Sequence, residues 1–205
     1  GGEHVLNYQN QLPESSVFDV AIIATTSGPR AVITKELLKK NKVKYLILEK
    51  ILFQKKNAYA EIEKLLTKNR VKTWVNCPMR MMPFYANLKN EFGGKKITYT
   101  LYGNQSGLAT DLIHHVDFVS FLTGSTDLET DTRLLDKKLK GSKRKGYLET
   151  TGSLSVFFEN GSQLMARCDN KGQSPKIIEI FDEEKIYTIF ESQGRALVSR
   201  ALDWK

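Results

Sequence analysis

Between residues 18 and 76, short apolar runs alternate with longer amphipathic stretches. Phe18-Asp19-Val20-Ala21-Ile22-Ile23-Ala24 carries one early charge and is otherwise apolar. That is the pattern of a strand buried on both faces of a parallel sheet. Thr25-Thr26-Ser27-Gly28-Pro29 ends the run with turn and capping chemistry. Pro29 suits a first helical turn. From Ala31 to Lys40, Val32, Leu37 and Leu38 recur among lysines and predict an amphipathic helix. Val43 to Leu48 predicts a second strand, Asn57 to Asn69 a second helix, and Val71 to Asn76 a third strand. Strands separated by helices imply right-handed crossovers and a parallel sheet.

The pattern changes near Cys77-Pro78. Met79 to Glu91 predicts a helix kinked or started at Pro83. Lys96 to Tyr102 alternates as a strand, and Leu108 to Leu122 predicts a helix with Leu108, Leu112, Val116, Val119 and Leu122 toward the core. Strand-like runs follow at residues 128–135, 150–159, 162–168, 176–181 and 185–190. Asn160-Gly161 is a hairpin signal. The expected fold is therefore α/β. A partial Rossmann-type parallel sheet occupies residues 1–77. An α+β domain with an open, mostly antiparallel sheet occupies residues 78–205.

Composition changes this picture little. The chain has 205 residues, 40% hydrophobic and 26% charged, which excludes a disordered or coiled-coil protein. No apolar run is long enough to span a membrane, so no membrane partner is expected. Two cysteines, Cys77 and Cys168, are too few for a disulfide scaffold or a zinc site, and a reducing, cytoplasmic location is the expectation. Gly1-Gly2-Glu3-His4 is not a signal peptide, and its Gly1-Gly2 reads as a cloning remnant. The net charge of +8 is uneven: residues 1–77 carry 13 basic and 7 acidic groups, and residues 78–205 carry 18 and 16. Six of the nine residues from Lys137 to Lys145 are cationic. They read as a solvated loop or a phosphate clamp. A nucleic-acid partner is disfavoured, because no aromatic residues interleave with the charges.

Two stretches carry candidate chemistry. Glu49-Lys50 closes a buried strand, and open α/β sheets bind ligands at the carboxyl ends of their strands. A lysine there can hold a substrate hydroxyl and join proton transfer. In the helix, Asp111 precedes His114 by three residues and His115 by four, so all three share a face. A carboxylate can orient an imidazole and support the imidazolium. Adjacent histidines diverge by about 100° on a helix, which is poor for chelation, so no metal is expected.

In this order, these stretches resemble the glucose–fructose oxidoreductase, inositol dehydrogenase and MocA family. Asp19 to Thr25 matches its nucleotide-contacting strand and turn. Glu49-Lys50 matches its Glu-Lys-Pro motif. Asn76, Arg80, Pro83 and Tyr85 match a strand ending in Asn with Arg and Pro-x-Tyr downstream. Asp111 to Gly124 matches the Asp-and-His helix that ends Leu-x-Gly. The likeness covers roughly residues 17–125 and is nearest in style to members of surface-polysaccharide synthesis.

The resemblance implies hydride transfer between NAD or NADP and a small-molecule sugar, nucleotide-sugar or cyclitol. Lys50, His114 and Asp111 would be catalytic. Thr25, Thr26, Glu49 and Asn76 would contact the cofactor, and Arg80, Tyr85 and His115 the substrate. A homo-oligomer through the open sheet is also implied. The chain departs from the family at three points. Ile51 replaces the motif's proline, Thr110 stands where the family aspartate precedes the histidine by four, and no G-x-G-x-x-G occurs. The sequence thus reads as a fragment, and as a weak binder of dinucleotide. The competing expectation is a catalytically silent binding protein on the same fold.

Overall fold

A computed structural model describes residues 5–104, 107–142, 144–169 and 171–200. The opening Gly1 to His4 and Lys143 of the basic run lie outside them. The chain divides into two compact units, Gly1–Asn76 and Cys77–Lys205.

The first unit alternates β1 (Val17–Ile23), α1 (Ser27–Lys40), β2 (Lys42–Glu49), α2 (Lys56–Lys68) and β3 (Lys72–Asn76). The strands form a parallel sheet in the order β1-β2-β3. Pro29 falls in the first turn of α1, where its missing N–H costs nothing. Leu46 and Leu48 are buried with Ile23 against Leu37, Leu38 and Ile62 of the helices. Val20, Ile22 and Trp74 instead stay 53, 66 and 53% exposed. Register sets Ile22 and Trp74 on either side of Ile47, so these residues share one bare face.

The second unit begins with a 3-10 turn at Pro78–Met81, then α3 (Pro83–Phe92), β4 (Thr98–Asn104) and α4 (Leu108–Thr123). Of the two expected forms, the helix starts at Pro83, and residues 79–81 belong to the 3-10 turn before it. Short strands follow: β5 (Leu128–Asp131), β6 (Lys140–Gly141) and β7 (Leu148–Glu149). The longer β8 (Gly152–Phe158), β9 (Gln163–Asp169), β10 (Ile177–Phe181), β11 (Lys185–Phe190) and β12 (Arg195–Arg200) complete the unit. Seven strands pair in the order β12-β11-β10-β4-β9-β8-β5. All pairings are antiparallel except β4 with β9.

Alternation sends Tyr99, Leu101, Leu164, Ala166, Ile178 and Ile180 into one core with Phe92, Phe118 and Leu122 of the helices. The opposite face shows Phe157, Met165 and Ile186, each 42% exposed. The expected β8–β9 hairpin forms at Asn160-Gly161, with Gly161 at φ +82°. The strand expected over residues 128–135 stops at Asp131, because Leu135 N–H turns back to the Thr132 carbonyl at 3.1 Å. Both cysteines are buried, and Cys168 Sγ accepts the Gly107 N–H at 3.2 Å. Among the described residues, no helix is long and apolar enough to cross a membrane.

Candidate functional site

In the first unit, parallel strands bring three chain segments to one edge of the sheet. Thr25 and Thr26 follow β1, Glu49 ends β2 with Lys50 just beyond, and Asn76 ends β3. Register places Glu49 opposite Asn76, and Asn76 Nδ2 donates to Glu49 Oε2 at 2.8 Å. Thr25 Oγ1 is buried with no hydrogen-bond partner among the described residues. The Lys50–Ile51 peptide bond is cis.

Arg30 of α1, 1% exposed, ties these loops together. Its guanidinium donates to the carbonyls of Thr25, Ile51 and Leu52, the last at 3.0 Å. An always-charged, five-donor fork can bridge two loops in this way.

The orphaned Thr25 hydroxyl and the Glu49–Asn76 pair suit a polar ligand at the carboxyl ends of the strands. That fits the nicotinamide side of a dinucleotide. The sequence holds no glycine-rich turn for its pyrophosphate.

In the second unit, five segments converge on a polar chain. Tyr99 of β4 lies 2.5 Å from Nδ1 of His115 on α4. His115 Nε2 faces Asp111 Oδ2 at 3.6 Å, one helical turn back. Asp111 Oδ2 lies 3.4 Å from Nζ of Lys176, which precedes β10. Lys176 reaches Glu191 Oε2 at 2.8 Å, just after β11. Tyr85 of α3 donates to the other oxygen of Glu191.

Burial pushes the Tyr99 phenol well above its usual range, with neighbouring negative charge adding to the effect. A phenol so held donates, and in the neutral imidazole this puts the ring proton on Nε2, facing Asp111. Burial alone would raise the Asp111 carboxyl, but the facing His115 and Lys176 outweigh it and hold it far below the usual carboxylate range. For Glu191, burial is likewise outweighed by Lys176 and Tyr85, and the carboxyl is lowered. Lys176 is raised, since its two carboxylates overcome its burial.

These contacts separate the two histidines. His115 is 1% exposed and takes the Asp111 carboxylate, while His114 is half-buried. Thr110 donates instead to Glu149 Oε2 at 2.6 Å. Glu149 is itself buried and also accepts the Ala109 N–H at 2.6 Å. Arg80 spans both carboxylate oxygens of Asp117, with Nε–Oδ2 at 2.9 Å, and Tyr85 is engaged by Glu191. Among the described residues, no group of three or more His, Cys, Asp or Glu is placed to hold a metal ion.

Sequence reasoning missed Arg30, Tyr99, Glu149, Lys176 and Glu191. Nothing in the local pattern marks Arg30 off from the lysines of the helix it begins. Lys176 stands 65 residues from Asp111, and no local spacing links them.

No known family and no curated protein matches the chain by sequence. Solved structures do match. A dehydrogenase, MviM, from Clostridium difficile aligns at TM-score 0.62 and 17% identity, over 93% of this chain and 64% of that one. UDP-N-acetylglucosamine 3-dehydrogenase GnnA from Acidithiobacillus ferrooxidans aligns at 0.69 and 13%, over 89% and 61%. A super-repressor mutant of Gal80p from Saccharomyces cerevisiae aligns at 0.65 and 14%, over 91% and 64%. The chain thus spans about three-fifths of the length of the solved structures it matches. Its fold is that of these structures: a Rossmann-like parallel sheet followed by a mostly antiparallel one.

Proposed function

We propose that the protein is an NAD(P)-dependent oxidoreductase acting on a hydroxyl-bearing carbon of a sugar, nucleotide-sugar or cyclitol, in surface-polysaccharide synthesis. The observation that carries this reading is the edge of the parallel sheet, where strand ends gather Thr25, Thr26, Glu49, Lys50 and Asn76. A bound nicotinamide would accept or supply the hydride. Glu49, fixed by Asn76, and the unsatisfied Thr25 hydroxyl would hold the cofactor's polar edge. Lys50 would hydrogen-bond the reacting hydroxyl and stabilise negative charge as it develops there. His114 would serve as an acid or base, with Asp111 supplying negative charge from the same helix. Arg80 and Tyr85 would act on the substrate side, through Asp117 and Glu191.

The test is nicotinamide turnover against a panel of UDP-sugars, free sugars and inositols, at high dinucleotide concentration. Lys50→Met and His114→Asn should each lower kcat by about 10²–10⁴-fold, the usual contribution of an acid or base, with the thermal transition unmoved. His115→Asn should also lose activity, but through stability, because it removes the buried contacts of His115 with Tyr99 and Asp111.

One observation favours a second reading, a catalytically silent binding protein. The Asp111 carboxylate is engaged by His115 and Lys176, and Thr110 stands one turn before His114 where a carboxylate would otherwise lie. If no substrate in the panel is consumed, that reading replaces the first.

A further inference from the structure

In the second unit, the side chains of Lys176 and Asp111 lie together. Both are about a quarter exposed, with side chains at 28 and 27%, and their charged atoms lie 3.4 Å apart. Lys176 has three N–H donors. Two are directed at Asp111 Oδ2 and Glu191 Oε2. Asp111 uses Oδ2 for both Lys176 and His115, and among the described residues Oδ1 has no partner. One donor and one acceptor are therefore left side by side at a partly open position.

A third feature lies behind them. His115 Nε2 is buried without a hydrogen bond and aimed at the same carboxylate. The group is also fixed: Tyr99, Tyr85 and Glu191 hold it from three other segments. Such a half-satisfied cluster is costly unless a ligand completes it.

A spare donor beside a spare acceptor fits a hydroxyl, which accepts from the ammonium and donates to the carboxylate. A phosphate or carboxylate does not fit. It would meet two carboxylates, Asp111 and Glu191, against one ammonium. We infer that Lys176 and Asp111, backed by Glu191, form a hydroxyl-recognition subsite that admits a neutral polyol and rejects anions. It deepens the proposed function, on which it rests for its substrate class. Lys176 and Glu191 thereby become specificity-determining residues, and a nucleotide-sugar would present its sugar ring here rather than its phosphates.

The test needs neither cofactor nor turnover. The whole chain is titrated with N-acetylglucosamine, with myo-inositol and with inorganic phosphate, followed by NMR of the lysine side chains. A polyol should move the Lys176 Cε–Hε resonance saturably in the unmutated protein, and phosphate should not. Lys176→Met should weaken the polyol about tenfold, the worth of one charge-assisted hydrogen bond, whereas Lys95→Met, at a lysine that pairs with Asp182 and Glu184 instead, should leave it unchanged. If Lys176→Met fails to fold, the resonance of the unmutated chain decides alone. Absence of polyol binding, binding that ignores Lys176, or displacement by phosphate overturns the subsite. Sugar turnover indifferent to Lys176 would overturn it too, yet leave hydride transfer standing. Polyol binding without turnover would uphold the subsite and sink the enzyme reading.

Discussion

Single residues decide whether the strand-end loops of the first unit can hold a shape. Arg30 is the clearest case. A guanidinium 1% exposed, with carbonyls from two separate loops around it, can be replaced by no other side chain of similar length. Lysine offers three donors from one point; the fork offers five in a plane. Arg30→Met fills the volume but leaves the carbonyls of Thr25, Ile51 and Leu52 short of a charged donor. Hydrogen bonds to charged groups contribute about 1.5–3 kcal/mol each, so losing three should cost at least about 4 kcal/mol in urea unfolding. A loss below about 1 kcal/mol would show that water takes over the carbonyls and that the loops are not held by Arg30.

At the scale of elements, α4 is set by its ends. Lys89 donates from α3 to the last carbonyls of α4, at 2.5 Å to Phe121 and 2.8 Å to Leu122, where a cation complements the helix dipole. Gly124 closes the helix in the left-handed region, at φ +79°. At the other end, Glu149 of β7 supplies the capping carboxylate that α4 lacks in its own sequence. Gly107, at φ +75°, is required there, since a Cβ would overlap the Glu149 carboxylate. Gly107→Ala and Glu149→Ala should therefore each destabilise the protein, the second by about 1–2 kcal/mol for a lost cap. Because the clash disappears with the carboxylate, the double variant should lose at least about 1 kcal/mol less than the sum. Strict additivity in a double-mutant cycle would show that the two do not meet.

The same elements show what a sequence can and cannot disclose. The strands and helices of the first unit were legible because each is a local period: continuous apolar runs for β1 and β2, spaced leucines for α1 and α2. β12 was not, since Arg195-Ala196-Leu197-Val198-Ser199-Arg200 is an exposed edge whose apolar residues do not alternate. The β6–β7 pairing is two residues long, too short for any period. Asp111 with its histidines was legible as a helical face. Which histidine takes the carboxylate was not, because that depends on Tyr99 approaching His115 from β4.

For the whole molecule, the balance of charge makes acid the sensitive direction. The chain already carries +8, and protonating carboxylates adds to that self-repulsion. The second unit has a more specific liability. Asp111 and Glu191 are held below their ordinary values in the folded state by His115, Lys176 and Tyr85. A group whose folded pKa is depressed binds its proton more readily unfolded. Its stabilisation is therefore complete above the unfolded carboxylate range, near pH 4–5, and is lost as pH falls toward the folded value. Unfolding free energy should be nearly flat from pH 7 to about 5 and fall steeply below about 4. Asp111→Asn removes one of the two titrations. It should lower stability at pH 7, where the ionised carboxylate faces His115 and Lys176, and make the acid slope shallower. Chemical denaturation at a series of pH values reads both. The same slope in variant and parent would mean that Asp111 titrates alike in the folded and unfolded chain, and that the pairing with His115 and Lys176 carries no net free energy.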